Sequence, residues 1–149
     1  MVSEPIKPCM DIVVMANTLH GYMSQSDKGE LVIGGGADSY NNYTQRGSFH
    51  HIEETTRALK ETFPIISRLK MLRQWGGIVD RTGDRSPIIS KAPVEGMFIN
   101  CGWGTGGFKS IPGSGWATAG MIANGSDPMA DPFALGRFTE GRMIDESVA

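Results

Sequence analysis

Cysteine is nearly absent from this chain of 149 residues: Cys9 and Cys101 are the only two. Two thiols so far apart exclude a disulfide framework and a four-cysteine zinc site. Long apolar runs are missing too, since none approaches the roughly 18 residues a membrane helix needs. No signal-peptide pattern opens the sequence, so a cytoplasmic, reducing setting is expected and no membrane partner. Charge of one sign is also lacking, with 14 Lys+Arg against 16 Asp+Glu and a net charge of −2. The two signs interleave, which excludes the basic footprint of a nucleic-acid binder. The sequon matches at Asn42 and Asn124 are read as chance, and no internal repeat is present.

Glycine, by contrast, is in excess. Twenty glycines in 149 residues is nearly twice the average usage of about 7%. They cluster at Gly34, Gly35 and Gly36, at Gly76 and Gly77, and at Gly102, Gly104, Gly106 and Gly107, with Gly113 and Gly115 following. These clusters lie against apolar and aromatic residues, as expected where backbone must approach something closely and not of a flexible linker.

Residues 11–17 (DIVVMAN) are β-rich, residues 20–25 (HGYMSQ) partly alternate, and residues 30–35 (ELVIGG) resume a strand after the turn chemistry of Ser26-Asp27-Lys28-Gly29. A hairpin or meander is predicted. Ser48 is placed to cap a helix whose apolar stripe runs through Phe49, Ile52, Thr56, Leu59 and Phe63, and Pro64 ends it. Residues 69–79 read as a strand with a glycine break. Ile88-Ile89 and residues 97–101 (MFINC) read as short buried strands. A second helix is predicted from Ile111-Pro112 to about Ile122, because proline is tolerated in a first turn, and a short one over 131–139. The acidic tail is expected to fray. Strands, a helix, more strands and then helices predict an α+β fold.

The stretch "CGWGTGGFKS" at 101–110 almost fits two phosphate-binding patterns. A P-loop needs lysine directly after its last glycine; here Phe108 intervenes before Lys109. The dinucleotide fingerprint needs a second parallel strand with an acid about 20 residues on. Asp127 stands there but in Ser126-Asp127-Pro128, which is not an interior strand. What remains is a strand, a glycine loop and a helix start with a cation. Free amides there suit anionic or electron-rich ligand atoms; a tight turn with a solvated lysine is the other local reading. Trp103 and Phe108, on either side, are expected to wall off a pocket.

The segment "CGWGTGGFKSIPGSG" closely resembles the C-terminal flavin loop of the glycine/sarcosine (D-amino-acid) oxidase superfamily, and within it the β subunits of heterotetrameric sarcosine oxidases. "HGYMSQSDKGELVIGGG", "YNNYTQRGSFHHIEE", "LRQWGGIVDRTGDRSPIIS" and the final "GRMIDESVA" add to the resemblance. It implies residues 1–95 as the C-terminal part of a substrate domain, an antiparallel sheet with one amphipathic helix. It implies residues 96–149 as the last strand, glycine loop and helices of an FAD domain, with the N-terminal dinucleotide-binding half absent from this chain.

The same resemblance implies FAD against Gly102, Gly104, Thr105, Gly106, Gly107, Phe108 and Lys109. Thr105 and Lys109 would hold a substrate carboxylate, and His20 and Tyr22 would line the substrate side. Sarcosine is the implied substrate, oxidised by hydride transfer to FAD, with FMN, tetrahydrofolate and α, γ and δ subunits in the complete enzyme. The isolated chain is expected to retain neither flavin, to be inactive, and to self-associate through its uncovered apolar face. A non-catalytic module that binds a small carboxylate or a protein partner is the alternative.

Three other stretches carry weaker signals. His50 and Glu54 are four apart and could share a metal, but a solvated helix face is the reading adopted and no metal site is assigned. Asp84 to Ile89 (DRSPII) is read as a structural turn beneath the glycine loop. Arg73 and Trp75 either flank the flavin or pack the sheet.

Overall fold

The computed structural model describes residues 1–144; the tail expected to fray, 145–149, lies outside them. The chain forms two compact units, Met1–Ile78 and Val79–Ala149. The α+β expectation holds: every strand pairing is antiparallel, in one five-stranded and one two-stranded sheet.

In the first unit the strands are β1 (Val2–Pro5), β2 (Val14–Ala16), β3 (Gly21–Gln25), β4 (Glu30–Gly35) and β5 (Met71–Arg73), in the order β2-β3-β4-β1-β5. The predicted meander is β2-β3-β4, turned by Ser26 and Gly29, whose backbones bond to each other and to Glu30. β1 lies between β4 and β5, where the buried Ser3 hydroxyl accepts the Leu31 N–H at 2.9 Å. It had no sequence signal. Residues 74–79, expected to extend the strand through a glycine break, form none, and β5 is only three residues long.

The first helix, α1 (Phe49–Thr62), packs on one face of this sheet through a core of Met23, Leu31, Ile33, Leu59 and Ile66. The approach is close: a methyl on Gly21 would come within 2.9 Å of the Leu59 side chain. The helix faces the sheet with Thr55 and Leu59, not with the whole predicted stripe, and Phe49 is 89% exposed. Ser48 holds the N-cap position, yet its hydroxyl donates to Asp38 instead of receiving an amide of the first turn.

In the second unit β6 (Ile88–Lys91) and β7 (Phe98–Cys101) form an antiparallel pair covered by α2 (Gly107–Asn124). The core is Ile89, Ala117, Met121 and Ala130. The second helix starts four residues before the predicted Ile111, and Pro112 lies inside it. Proline has no N–H for the carbonyl four residues back, which is that of the exposed Phe108. The helix nevertheless continues through Pro112 to Asn124. Two short 3-10 turns, Asp131–Phe133 and Leu135–Phe138, replace the single helix expected over 131–139. No helix of the described residues is long and apolar enough to cross a membrane.

One ion pair organises this unit. The Arg137 guanidinium donates to both oxygens of Asp84 at 2.7 and 3.0 Å, with both side chains buried. Its remaining donors reach the carbonyls of Ser86 and Phe133 at 2.9 Å each. The arginine, the Ser86 amide, the Ile144 amide and the Thr82 hydroxyl together hold the Asp84 carboxyl well below the usual carboxylate range, against its burial. A folded-state pKa below the unfolded one gives stabilisation that is complete above about pH 4 and lost as pH falls through the folded value. Arg137→Met, which strands a buried carboxylate, is expected to lower the stability of the second unit by about 3–5 kcal/mol in urea denaturation. Asp84→Asn should flatten the acid limb of stability against pH below that range. An unchanged acid limb would remove the pair from this role.

Candidate functional site

The glycine loop joins β7 to α2. Gly102 and Gly104 have φ of +74° and +55°, a region where a side chain is strained. The segment before β6 holds them. Asp80 accepts the Gly102 N–H on its carboxylate at 2.6 Å and the Gly104 N–H on its backbone carbonyl at 2.8 Å. Arg81 forms a bridge with Trp103. A methyl on Gly102 would meet the Thr82 methyl at 2.6 Å, and one on Gly107 would meet Trp103 Cβ at 3.1 Å. Gly102 is therefore required by its own backbone and packing, and Gly107 has little room for a side chain. Gly104 has open space around it, and Gly106 meets nothing nearer than 3.6 Å.

Gly106 occupies the N-cap of α2, and no side chain caps the helix. The first amides of a helix have no acceptor within it, so this end presents free N–H donors and the positive end of the helix dipole. Thr105 and Lys109 flank those amides, both exposed, and the Lys109 stem curls back to within 3.7 Å of where a Gly106 Cβ would stand. Among the described residues Thr105 forms no side-chain hydrogen bond and Lys109 no salt bridge. The loop is therefore a backbone edge held by the segment before β6, with two glycine positions open and a cation beside it. Such an edge offers N–H donors and a cation to an electron-rich or anionic group.

The aromatic walls are a correction. Trp103 packs on the unit's core and donates from Nε1 to Asn100 at 2.6 Å, whereas Phe108 is 90% exposed. The two do not enclose a pocket within this unit. Asp127, the residue at dinucleotide-acid spacing, accepts the Met129 N–H and lies against Gly120. It is a turn residue. Burial, and secondarily Asp80, push the Cys101 thiol up, so it stays protonated beside the loop.

In the first unit Tyr22 lies on β3, 41% exposed, between Gly21 and Met23, which face α1. Alternation therefore places it on the opposite face, with its ring across Gly34, where even a methyl would collide. His20 is not on the strand, as expected from the sequence, but just before it. It is exposed, with φ of +49°, and its carbonyl accepts the Gly36 N–H at 3.2 Å. Two open clefts among the described residues are lined by other residues. One of about 410 Å³ lies between α1 and residues 66–71, and one of about 170 Å³ lies between β6 and the end of α2.

The FAD dependent oxidoreductase pattern of the DAO family matches residues 1–121. The chain belongs to the DAO family. The sarcosine oxidase subunit beta of Rhodobacter capsulatus is 76% identical over 99% of this chain and 36% of its own length. The protein of the same name from an Arthrobacter species is 54% identical over 98% of this chain and 36% of its own. This DAO-family chain thus spans little more than a third of those relatives. The fold agrees with L-proline dehydrogenase from P. horikoshii, at a TM-score of 0.81 and 23% identity over 96% of this chain and 39% of that one. It agrees with glycine oxidase from Geobacillus kaustophilus at 0.78 and 21%, over 91% and 37%. FAD as the cofactor is a property of the family to which the chain belongs.

Sequence reasoning found the loop but missed Asp80, whose only signal was its place eight residues before a strand. Asp80→Ala should expose the Gly102 amide to hydrogen exchange while leaving Gly104, which bonds to the backbone. A hydrogen bond to a charged group of roughly 1.5–3 kcal/mol corresponds to about a 10- to 150-fold loss of protection. Equal loss at both glycines would point to general unfolding of the loop instead.

Proposed function

We propose that this chain is part of a flavin-dependent sarcosine oxidase β subunit, and that its glycine loop and the start of α2 serve the flavin edge and the substrate carboxylate. The observation that carries this reading is the uncapped helix start, with an open glycine edge and Thr105 and Lys109 within one turn of it. Identity of 76% to a relative named sarcosine oxidase subunit beta supports the substrate. In this reading residues 1–95 belong to the substrate domain and 96–149 to the FAD domain of the complete enzyme.

FAD, when bound, accepts the hydride lost from the carbon beside the substrate nitrogen. The chain's own residues do the rest. The free amides of α2 and the dipole behind them stabilise negative charge at the flavin's pyrimidine side. Gly104 and Gly106 let that edge come near, while Gly102 and Gly107, locked by Thr82 and Trp103, keep the loop in shape. Lys109 holds the substrate carboxylate by charge, and Thr105 by its hydroxyl. Tyr22 and His20 line the amine side. The amine becomes an imine, which with water gives glycine and a one-carbon unit. FMN as electron acceptor, tetrahydrofolate as one-carbon acceptor, and α, γ and δ subunits complete the proposal. On its own the chain is proposed to associate with itself through the exposed face of α2, where Phe108, Ile111 and Ile122 stand free.

Two measurements test this. In the complete enzyme, Lys109→Met removes a charge-assisted hydrogen bond and should lower kcat/KM for sarcosine about 10- to 150-fold. An amine lacking the carboxylate should be unaffected, and an equal loss on both would sink the assignment of Lys109. The 149-residue chain should purify without the absorption of bound flavin near 450 nm. Its strand pairs are all antiparallel among the described residues, so no βαβ unit holds the pyrophosphate. Stoichiometric FAD on this chain would overturn that account of the loop.

A further inference from the structure

Away from the glycine loop, the first turn of α1 meets the loop that follows β4. His50 and His51 stack with ring centroids 4.1 Å apart. Asp38 Oδ1 lies 3.0 Å from His51 Nε2 and 3.6 Å from His50 Nε2. One ligand atom from each of the three residues falls within 4.8 Å of the others. The sequence had paired His50 with Glu54, four residues along the helix; the folded loop supplies Asp38 instead.

The surroundings are those of a ligand set. Asn42 donates to Asp38 Oδ2 at 2.7 Å and Ser48 to Oδ1 at 3.1 Å, which fixes the carboxylate's orientation. His51 carries a second, independent signal. With Nε2 turned to Asp38, its Nδ1 is buried and has no hydrogen-bond partner. Glu54 Oε2 lies 3.7 Å from it. A metal-bound imidazole carries its proton on the other nitrogen and turns it to a carboxylate. With a metal on Nε2, the ring proton would sit on Nδ1 and face the Glu54 carboxylate, 3.7 Å away. Gly36 completes the fit, since a side chain there would meet His51 Nδ1 at 2.8 Å.

We propose that Asp38, His50 and His51 bind a divalent transition-metal ion of the zinc class, clipping the loop over 36–48 to the first turn of α1. Two imidazoles and a carboxylate are borderline ligands suited to Zn²⁺. Three protein ligands leave one position to water. The bond is independent of the flavin reading, because none of these residues belongs to the glycine loop. With no metal, Asp38 and the loop it anchors are held by hydrogen bonds alone; with one, the loop and the helix share a cross-link.

The test uses the tag-free 149-residue chain, stripped with chelator and titrated with ZnCl₂ or CoCl₂. One equivalent should bind saturably, with a rise in Tm and, for Co²⁺, visible d–d absorption of a low-coordinate site. Asp38→Asn and His51→Asn should abolish the bound equivalent. His50→Asn, at a half-exposed side chain, should weaken binding at least tenfold while leaving the far-UV circular dichroism unchanged. Glu54→Gln should weaken it by about 10- to 100-fold, the effect of losing an outer carboxylate partner. No bound equivalent, or binding that survives all three ligand variants, would overturn the proposal and leave an imidazole–carboxylate hydrogen-bond cluster only.

Discussion

The buried pair between Asp84 and Arg137 is the interaction on which the second unit depends. Its two members are 53 residues apart in sequence, one before β6 and one in the last 3-10 turn. Through Ser86 and Thr82 the carboxylate shapes the turn that delivers β6; through the Phe133 carbonyl the guanidinium gathers the segment after α2. A buried pair is weak evidence of net stability, since two well-packed apolar residues can serve as well. Its value lies in direction. A bidentate fork accepts one geometry, and that geometry sets where Asp80 and Thr82 stand against the glycine loop.

The first unit rests on a different device, close packing of backbone. Gly21 lets α1 approach until Leu59 touches β3, and the alternation along the strand then turns Tyr22 to the opposite face. The same closeness brings the start of α1 over the loop after β4, where Asp38 meets the two histidines.

Much of this was legible in the chain, and the misses have physical causes. Period-two alternation and the Ser26–Gly29 turn announced β3 and β4, and the spacing of three and four announced α1. The stripe went wrong at Phe49 because a helix's first turn need not face the core, and here Ser48 spends its hydroxyl on Asp38. The start of α2 was placed late because Gly107 breaks apolar periodicity and Pro112 reads as a first-turn residue. β1 was silent, being four residues long and ended by proline. At the glycine loop, the motif was readable but its supports were not. Asp80 acts through a hydrogen bond to backbone 22 residues away, a contact that only the fold creates. The aromatic walls failed for the complementary reason: residues adjacent in sequence to a loop need not face one another across it.

Gly115 lies on the bare side of α2, between Ile111 and Ile122, and nothing stands within 4 Å of where its side chain would be. Glycine in a helix is roughly 1 kcal/mol less favourable than alanine, and no contact among the described residues requires it there. Judged by the folding of this chain alone, alanine is the better residue at that position. A search for stabilising substitutions confined to this segment would therefore accept the change. The open space at Gly115 thus makes it a position where the helix can gain stability at no cost in packing.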